Sequence, residues 1–305
     1  MTEVWTIQRL LLWTSDFFER RGIDSPRLTA ELLLAHALGM ERVRLYIEFD
    51  RPLEEPERAR FRDLVRRRAD GVPTYYLTGR RSFFGRVFHV DERVLVPRPE
   101  TEHLIDAALG LLGDSDDGQR VLDLCTGSGC VGLTLLAERP NARLCATDLS
   151  PDALDVARDN ARSLDLEERV EFWRGDLFEP VAGRRFDLIV SNPPYVPSGE
   201  IERLAPEVRR EPAMALDGGE DGLDLIRTIV AGAPEFLEPG GAICLEIGEG
   251  QGAALLELLR AAGFTGTKIE RDLAGLERVA VGRLPEGMKS EGEEQRGREP
   301  MERGH

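Results

Sequence analysis

The chain has 305 residues, a length that predicts about two domains. Of these residues 41% are hydrophobic, which is enough for a sizeable core. Its formal net charge of -16 argues against a protein that mainly binds the nucleic-acid backbone, because such proteins are usually basic. The four cysteines form no Cys-x-x-Cys pair and have no histidine nearby at metal-ligand spacing, so we expect reduced thiols. No apolar run could span a bilayer, and the first residues have no basic region leading into an apolar stretch, which predicts a cytoplasmic protein without a membrane partner.

The first part of the chain, residues 1–75, is predicted to be a small all-helical domain. Apolar residues recur at helical spacing over residues 5–21, and Gly22 ends that helix. Ser25 and Pro26 suit the first positions of a second helix, which runs to Gly39. Two more helices are predicted, over residues 42–49 and after Pro56.

Residues 76–115 are predicted to form a β-hairpin linker and a helix. Residues 82–90 are rich in β-forming side chains and contain a glycine break at Gly85, as a hairpin requires. Residues 97–102 follow and open a helix through Leu109, whose acidic first turn suits the helix dipole.

Strands and helices then alternate over residues 116–285, which predicts an α/β, doubly wound sheet. The apolar runs predict strands at residues 121–124, 143–147, 170–173, 186–190 and 242–247, with closing strands at 267–270 and 277–281. Residues 286–305 are charged and nearly free of large apolar side chains, which predicts a disordered tail.

The loop after the first of these strands is a candidate ligand site. Gly127, Gly129 and Gly132 fit G-x-G-x-x-G, in which small residues and a helix N-terminus let backbone N–H groups approach a ligand. Asp148 ends the next strand, where a carboxylate can bind both ribose hydroxyls. Nicotinamide dehydrogenases and methyltransferases that use S-adenosylmethionine share both features. Asp123 favours the methyltransferases, because a carboxylate at the first strand's end can meet a cationic amino-acid group.

The loop after the fourth strand carries the motif Asn192-Pro193-Pro194-Tyr195. The prolines have no N–H, so nearby carbonyls stay free to accept, while Asn192 adds an acceptor and Tyr195 a flat ring. This combination suits a planar NH2 group. The motif resembles the catalytic motif of methyltransferases that modify amide or exocyclic amine nitrogens with S-adenosylmethionine, and hydride transfer does not need it. A proline-rich loop that merely ends a strand is the alternative interpretation.

Nearly all of residues 1–284 resembles the protein-glutamine N5-methyltransferases that act on peptide chain release factors. The segments that carry the resemblance are residues 27–36, 97–102, 123–129, 192–195, 211–216 and 245–252. The resemblance implies a seven-stranded class I S-adenosylmethionine-dependent methyltransferase fold with a helical N-terminal domain that recognises the protein substrate. It also implies methyl transfer from S-adenosylmethionine to the side-chain amide nitrogen of the glutamine in the Gly-Gly-Gln motif, leaving S-adenosylhomocysteine and using no metal.

The resemblance also implies the site residues. Catalysis and substrate binding fall to Asn192, Pro193, Pro194 and Tyr195. Cofactor binding falls to Arg98, Thr101, Asp123, Cys125, Thr126, Gly127, Ser128, Gly129, Asp148, Asp176, Leu177 and Asn192. Asp176 is expected to accept from an adenine amino group, although a capping or loop aspartate is an equally good interpretation. Cys125 stands where the family commonly has glycine, and backbone contacts there should survive because they do not need the side chain. Leu177 stands where tryptophan can occur, so adenine stacking at this position should be weaker.

Three alternatives to a release-factor methyltransferase stay open beside the dehydrogenase. A glutamine methyltransferase of a ribosomal protein is the closest, and residues 97–102 favour the release-factor branch. A DNA adenine N6-methyltransferase should carry a basic target-recognition region, which the sequence lacks, so we expect no direct sequence-specific nucleic-acid binding. A non-catalytic binding module would have no need of the Asn-Pro-Pro-Tyr loop.

Overall fold

The computed structural model describes residues 4–113 and 118–286, so the predicted tail lies outside the described residues except for its first position. The helices are α1 (Ile7–Arg20), α2 (Pro26–Leu38), α3 (Arg42–Ile47), α4 (Glu55–Ala69), α5 (Thr74–Thr78), α6 (Glu102–Leu112), α7 (Cys130–Glu138), α8 (Pro151–Ser163), α9 (Asp224–Phe236) and α10 (Gly252–Ala261). The strands are β1 (Arg80–Phe83), β2 (Arg86–His89), β3 (Arg120–Leu124), β4 (Arg143–Asp148), β5 (Val170–Arg174), β6 (Phe186–Ser191), β7 (Leu237–Glu246), β8 (Thr265–Arg271) and β9 (Glu277–Arg283). None of these helices combines the length and the apolar character that crossing a bilayer requires.

The helices α1–α5 pack around one apolar core at the start of the chain. Its fully buried side chains include Leu11, Phe18, Leu33 and Leu34. The short helix α5 was not predicted, because five residues are too few to show a helical period. The predicted boundary at residue 75 falls inside α5, and the division into domains stays a prediction.

The predicted hairpin is formed by β1 and β2, which pair antiparallel. Its two turn residues, Phe84 and Gly85, have φ values of 46° and 73°, and positive φ at both positions matches the twist of a tight hairpin. Phe83 and Phe88 are buried in the same core as α6 and α7, so the hairpin is packed on the sheet domain.

The central sheet has seven strands in the order β5-β4-β3-β6-β7-β9-β8, and β9 runs antiparallel to both β7 and β8. Side chains alternate between the two faces along each strand. Val121 therefore packs in the core beneath α6 and α7, whereas Leu122 packs in the core beneath α9 and α10. The sheet confirms the predicted α/β, doubly wound class with seven strands, and a small all-helical part precedes it.

The carboxyl ends of β3, β4, β5, β6 and β7 lie at one edge of the sheet, because these strands are parallel. The loops after them carry most of the predicted site residues. The helical part reaches the same region, since Arg68 of α4 forms an ion pair with Glu207, which follows β6. Arg210 strengthens this contact by donating from Nη2 to the Asp70 carbonyl at 2.6 Å.

Candidate active site

A cavity of about 630 Å³ lies at this edge of the sheet, a size that suits a small-molecule ligand. Its wall includes the following residues predicted from the sequence: Thr101, Asp123, Cys125, Thr126, Gly127, Ser128, Asp148, Asp176, Leu177, Asn192 and Pro194. Four predicted residues are not part of the wall, namely Arg98, Gly129, Pro193 and Tyr195. Direct contact between these four and a ligand stays a prediction.

Asp123 is the most deeply buried carboxyl in the cavity wall, with only 1% of its surface exposed. Its Oδ2 accepts hydrogen bonds from Thr126 Oγ1 at 2.6 Å and from the Gly132 backbone N–H at 3.1 Å. Burial raises the pKa of Asp123 to about 7, despite the opposing effect of these hydrogen bonds. A cationic group beside this carboxyl would favour its charged form.

Gly132, the third glycine of the motif, serves the packing of α7 on β3. A Cβ atom at this position would lie 2.8 Å from Asp123 Oδ2 and 2.7 Å from a Leu144 methyl group. Gly132 therefore allows the close approach that lets its N–H reach the Asp123 carboxyl.

Asp148 holds the glycine loop from the end of β4. Its Oδ2 accepts from the Gly127 backbone N–H and its Oδ1 from the Ser150 backbone N–H, both at 2.9 Å. Burial raises the pKa of this carboxyl. Each carboxylate oxygen can accept more than one hydrogen bond, so Asp148 retains acceptor capacity toward the cavity.

The loop after β5 brings Asp176 and Leu177 to the cavity wall. Leu177 has a φ of 44°, in the left-handed region that is uncommon for residues other than glycine. Its carbonyl accepts from Thr147 Oγ1 at 3.2 Å, a buried bond that ties this loop to β4.

Asn192 of the Asn-Pro-Pro-Tyr motif lies in the cavity wall, and one hydrogen bond holds its side chain. Its Nδ2 donates to Thr101 Oγ1 at 3.3 Å. Among the described residues no hydrogen bond reaches its Oδ1, which is therefore available as an acceptor in the cavity wall. The amide of Asn192 thus has one end held by the protein and the other open to a ligand.

Tyr195 is anchored away from the cavity. Its hydroxyl donates to Glu246 Oε1 at 3.2 Å, and its backbone carbonyl accepts from Gln251 Nε2 at 3.0 Å. Burial raises the pKa of Tyr195, and the neighbouring Glu246 carboxyl adds to this effect. These contacts fix the end of the motif loop, which limits the freedom of Asn192 three residues earlier.

Arg98 forms an ion pair with Glu211 at 2.6 Å instead of lining the cavity. The Glu211 side chain is 1% exposed and also accepts from the Val96 backbone N–H at 3.1 Å. This pair joins the segment that carries Thr101 to the segment after β6. It therefore fixes the positions of these two parts of the cavity wall relative to each other.

The sequence patterns missed several residues of the cavity wall, among them two exposed apolar side chains. Leu149 and Met214 are 55% and 51% exposed, and both border the cavity. The position of Leu149 directly after Asp148 could have indicated it, whereas Met214 lies in a segment that only the resemblance to a family singles out. Within residues 4–113 and 118–286, no group of three or more His, Cys, Asp or Glu side chains could hold a metal ion.

Two family models match this chain. The PrmC N-terminal domain matches residues 9–79, and the methyltransferase small domain matches residues 105–217. A solved methyltransferase from Pyrococcus furiosus has a TM-score of 0.51 at 18% identity, with 67% of this chain and 91% of that chain covered. At that identity the likeness supports the fold alone.

Curated relatives extend the match over most of the chain. A release factor glutamine methyltransferase of Geobacter sulfurreducens is 43% identical over 283 residues, which cover 92% of this chain and 98% of the relative. A release factor glutamine methyltransferase of Cereibacter sphaeroides is 47% identical over 265 residues, covering 87% and 93% respectively. With this identity sustained across both the helical part and the sheet, the chain belongs to the release factor glutamine methyltransferase family.

Proposed function

We propose that this chain transfers the methyl group of S-adenosylmethionine to the side-chain amide nitrogen (N5) of the glutamine in the Gly-Gly-Gln motif of peptide chain release factors. The observation that carries the proposal is the Asn192 side chain, whose Nδ2 is bound to Thr101 while its Oδ1 is available at the cavity. An oxygen acceptor in this position suits a primary amide substrate, whose NH2 group needs hydrogen-bond acceptors. Membership of the family favours a release factor over a ribosomal protein or DNA as the substrate, and methyl transfer over hydride transfer.

The chemistry of the cavity wall fits S-adenosylmethionine, which when bound supplies an electrophilic sulfonium methyl group. We assign Asp123 to the cationic amino-acid portion, because its buried carboxyl would gain most from a positive neighbour. Asp148 is assigned to the ribose hydroxyls through its remaining acceptor capacity. Asp176 is assigned to the adenine amino group, with Leu177 packed on the ring.

The side-chain amide of glutamine is a poor nucleophile, because its nitrogen lone pair is delocalised into the carbonyl. Asn192 Oδ1 and the Pro193 carbonyl accept the two amide hydrogens and thereby direct the nitrogen toward the methyl group. Alignment of this kind can lower a barrier by up to ~7–11 kcal/mol. The same acceptors stabilise the positive charge that develops on the nitrogen. The proton leaves after transfer, when the nitrogen is acidic.

The helical part, residues 1–75, is proposed to recognise the release factor. It exposes large apolar side chains, of which Ile47 is the most accessible at 77% and Trp13 is 48% exposed. Its ion pair between Arg68 and Glu207 joins it to the segment that leads to the cavity wall. Glu207 lies in the segment between β6 and α9, which also carries Met214 of the cavity wall, so the helical part is attached to the segment that borders the cavity.

The function is tested by incubating the purified chain with radiolabelled S-adenosylmethionine and separate candidate substrates. We expect label in release factors and none in ribosomal proteins or DNA. The matched control is a release factor whose Gly-Gly-Gln glutamine is replaced by alanine, which should stay unlabelled. Label in the ribosomal proteins or DNA with none in release factors would overturn the proposal.

A further inference from the structure

Gln251 is a polar side chain that joins three parts of the chain and that the proposed mechanism does not use. It lies directly before α10, is half-buried, and is not part of the cavity wall. Its Nε2 donates to the Tyr195 carbonyl at 3.0 Å and to the Gly222 carbonyl at 3.4 Å. Its Oε1 accepts from the Gly248 backbone N–H at 2.8 Å. One carboxamide therefore ties the end of the Asn-Pro-Pro-Tyr motif to the segment before α9 and to the loop after β7.

The orientation of the Gln251 carboxamide follows from its partners. The backbone N–H of Gly248 can only donate, so the amide oxygen must face it. The two carbonyls can only accept, so the NH2 group must face them. A side-chain amide has two donor hydrogens and an acceptor, and all three contacts are therefore met at once. A carboxylate of the same shape would keep the contact to Gly248 and lose both contacts to the carbonyls.

The Asn-Pro-Pro-Tyr loop depends on outside donors because two of its residues are prolines. Pro193 and Pro194 have no N–H, so neither of them can hold the loop through a backbone donor. At its start the loop continues β6, which pairs with β3 and β7. At its end the bond from Gln251 holds the Tyr195 carbonyl. Asn192 and the Pro193 carbonyl, the proposed acceptors of the substrate amide, lie between these two fixed ends.

The segment before α9 packs directly on the carbonyls of the motif loop. A Cβ atom on Gly218 would lie 2.8 Å from the Pro194 oxygen. A Cβ atom on Gly222, whose φ is 78°, would overlap the Tyr195 carbonyl. Both positions therefore require glycine. Gly218 and Pro194 line the cavity, so the segment that Gln251 ties to the motif is itself part of the cavity wall.

We propose that Gln251 is a positioning residue for methyl transfer, because its NH2 group clamps the end of the motif loop to the glycine segment of the cavity wall. The clamp keeps the acceptors of Asn192 and Pro193 in one arrangement before the substrate amide arrives, and preorganised acceptors stabilise a developing charge without rearranging. Gln251 acts through the loop and not on the substrate. This inference rests on the proposed function, since those acceptors bind the amide of the substrate glutamine.

The first test is Gln251→Glu, which keeps the side-chain length and the acceptor for Gly248 but removes both donors. We expect kcat for release-factor methylation to fall about tenfold at neutral pH, because the Tyr195 carbonyl loses its donor and faces a negative charge. The affinity for S-adenosylhomocysteine and the KM for the release factor should change little, since Gln251 does not line the cavity. Protonation of the introduced carboxyl restores one donor, so the deficit should shrink as the pH falls toward about 5.

Gln119→Glu is the matched control, because it makes the same chemical change at the opposite end of the sheet from the cavity. Gln119 precedes β3, and its Nε2 likewise donates to a backbone carbonyl, that of Leu112. Its kcat should equal that of the wild type at every pH. Gln251→Met removes the donors and the acceptor without adding a charge, and it should lower kcat by a similar factor with no recovery at low pH. This variant keeps the test decisive if Gln251→Glu does not fold.

Wild-type kcat in Gln251→Glu or in Gln251→Met would overturn the positioning role. A kcat deficit in Gln251→Glu that is the same at every pH, or a loss confined to cofactor affinity, would overturn it as well. In each of these cases the wild type would still methylate a release factor. Failure of the wild type to methylate any release factor would instead overturn the proposed function, so the two failures are distinguishable.

Discussion

Replacing Asn192 by alanine should slow methyl transfer far more than it destabilises the protein. Within the described structure the side chain makes one hydrogen bond, to Thr101 at 3.3 Å, and a neutral bond of this length contributes at most about 1 kcal/mol to stability. Removing one preorganised polar group from a transition state costs roughly 10²–10³-fold in kcat, or ~2.7–4 kcal/mol. The catalytic loss should therefore exceed the stability loss severalfold.

The assay is single-turnover methyl transfer with both substrates saturating, alongside calorimetric binding of S-adenosylhomocysteine and thermal unfolding. Asn192→Asp is the informative companion, because it keeps an acceptor oxygen but adds a negative charge beside Thr101. Partial activity in the aspartate variant with little in the alanine variant would support the acceptor role. Near-wild-type kcat in Asn192→Ala, with normal binding of both substrates, would refute the amide-clamp mechanism.

The remaining predictions concern the cofactor, the protein substrate and pH. Asp148→Ala should weaken S-adenosylmethionine binding by about 1.5–3 kcal/mol, and unchanged affinity by calorimetry would refute the ribose assignment. Ile47→Glu should raise the KM for a release factor while leaving cofactor affinity intact. An unchanged KM would count against contact between Ile47 and the release factor. Burial keeps Asp123 and Glu246 protonated up to about pH 7 in the folded protein. In the unfolded chain the same carboxyls would ionise near pH ~4. Their contribution to the free energy of unfolding is therefore complete below pH ~4 and is lost as the pH rises through about 7. Melting temperatures should therefore fall less steeply over that range in Glu246→Gln than in the wild type, and an equal slope would contradict the raised pKa of Glu246.

The sequence was sufficient to predict the sheet and much of the cavity wall, for a physical reason. Strands buried on both faces have continuous apolar runs, and parallel strands end at a common edge. Asp123, Asp148, Asp176 and Asn192 each follow or end such a run, so their convergence could be predicted without knowledge of the packing.

The partners of the charged residues could not be predicted in the same way. Arg98 and Glu211 are 113 positions apart, and Tyr195 and Glu246 are 51 apart, so no local pattern relates them. Resemblance to a family implies that Arg98 binds the cofactor, which stays a prediction, while the ion pair between its guanidinium and Glu211 could not be foreseen. The early start of β7 at Leu237 was missed because Pro239 and the glycines after it mask the strand pattern.

The most direct test of the central claim is to locate the transferred methyl group at atomic resolution. A release factor should be methylated by the wild-type chain with ¹³C-methyl S-adenosylmethionine, then digested and analysed by mass spectrometry and NMR. We predict one methyl group on the side-chain amide nitrogen of the Gly-Gly-Gln glutamine, and its formation should be strongly slowed in Asn192→Ala. A methyl group on any other residue, or on an oxygen or backbone atom, would contradict the account.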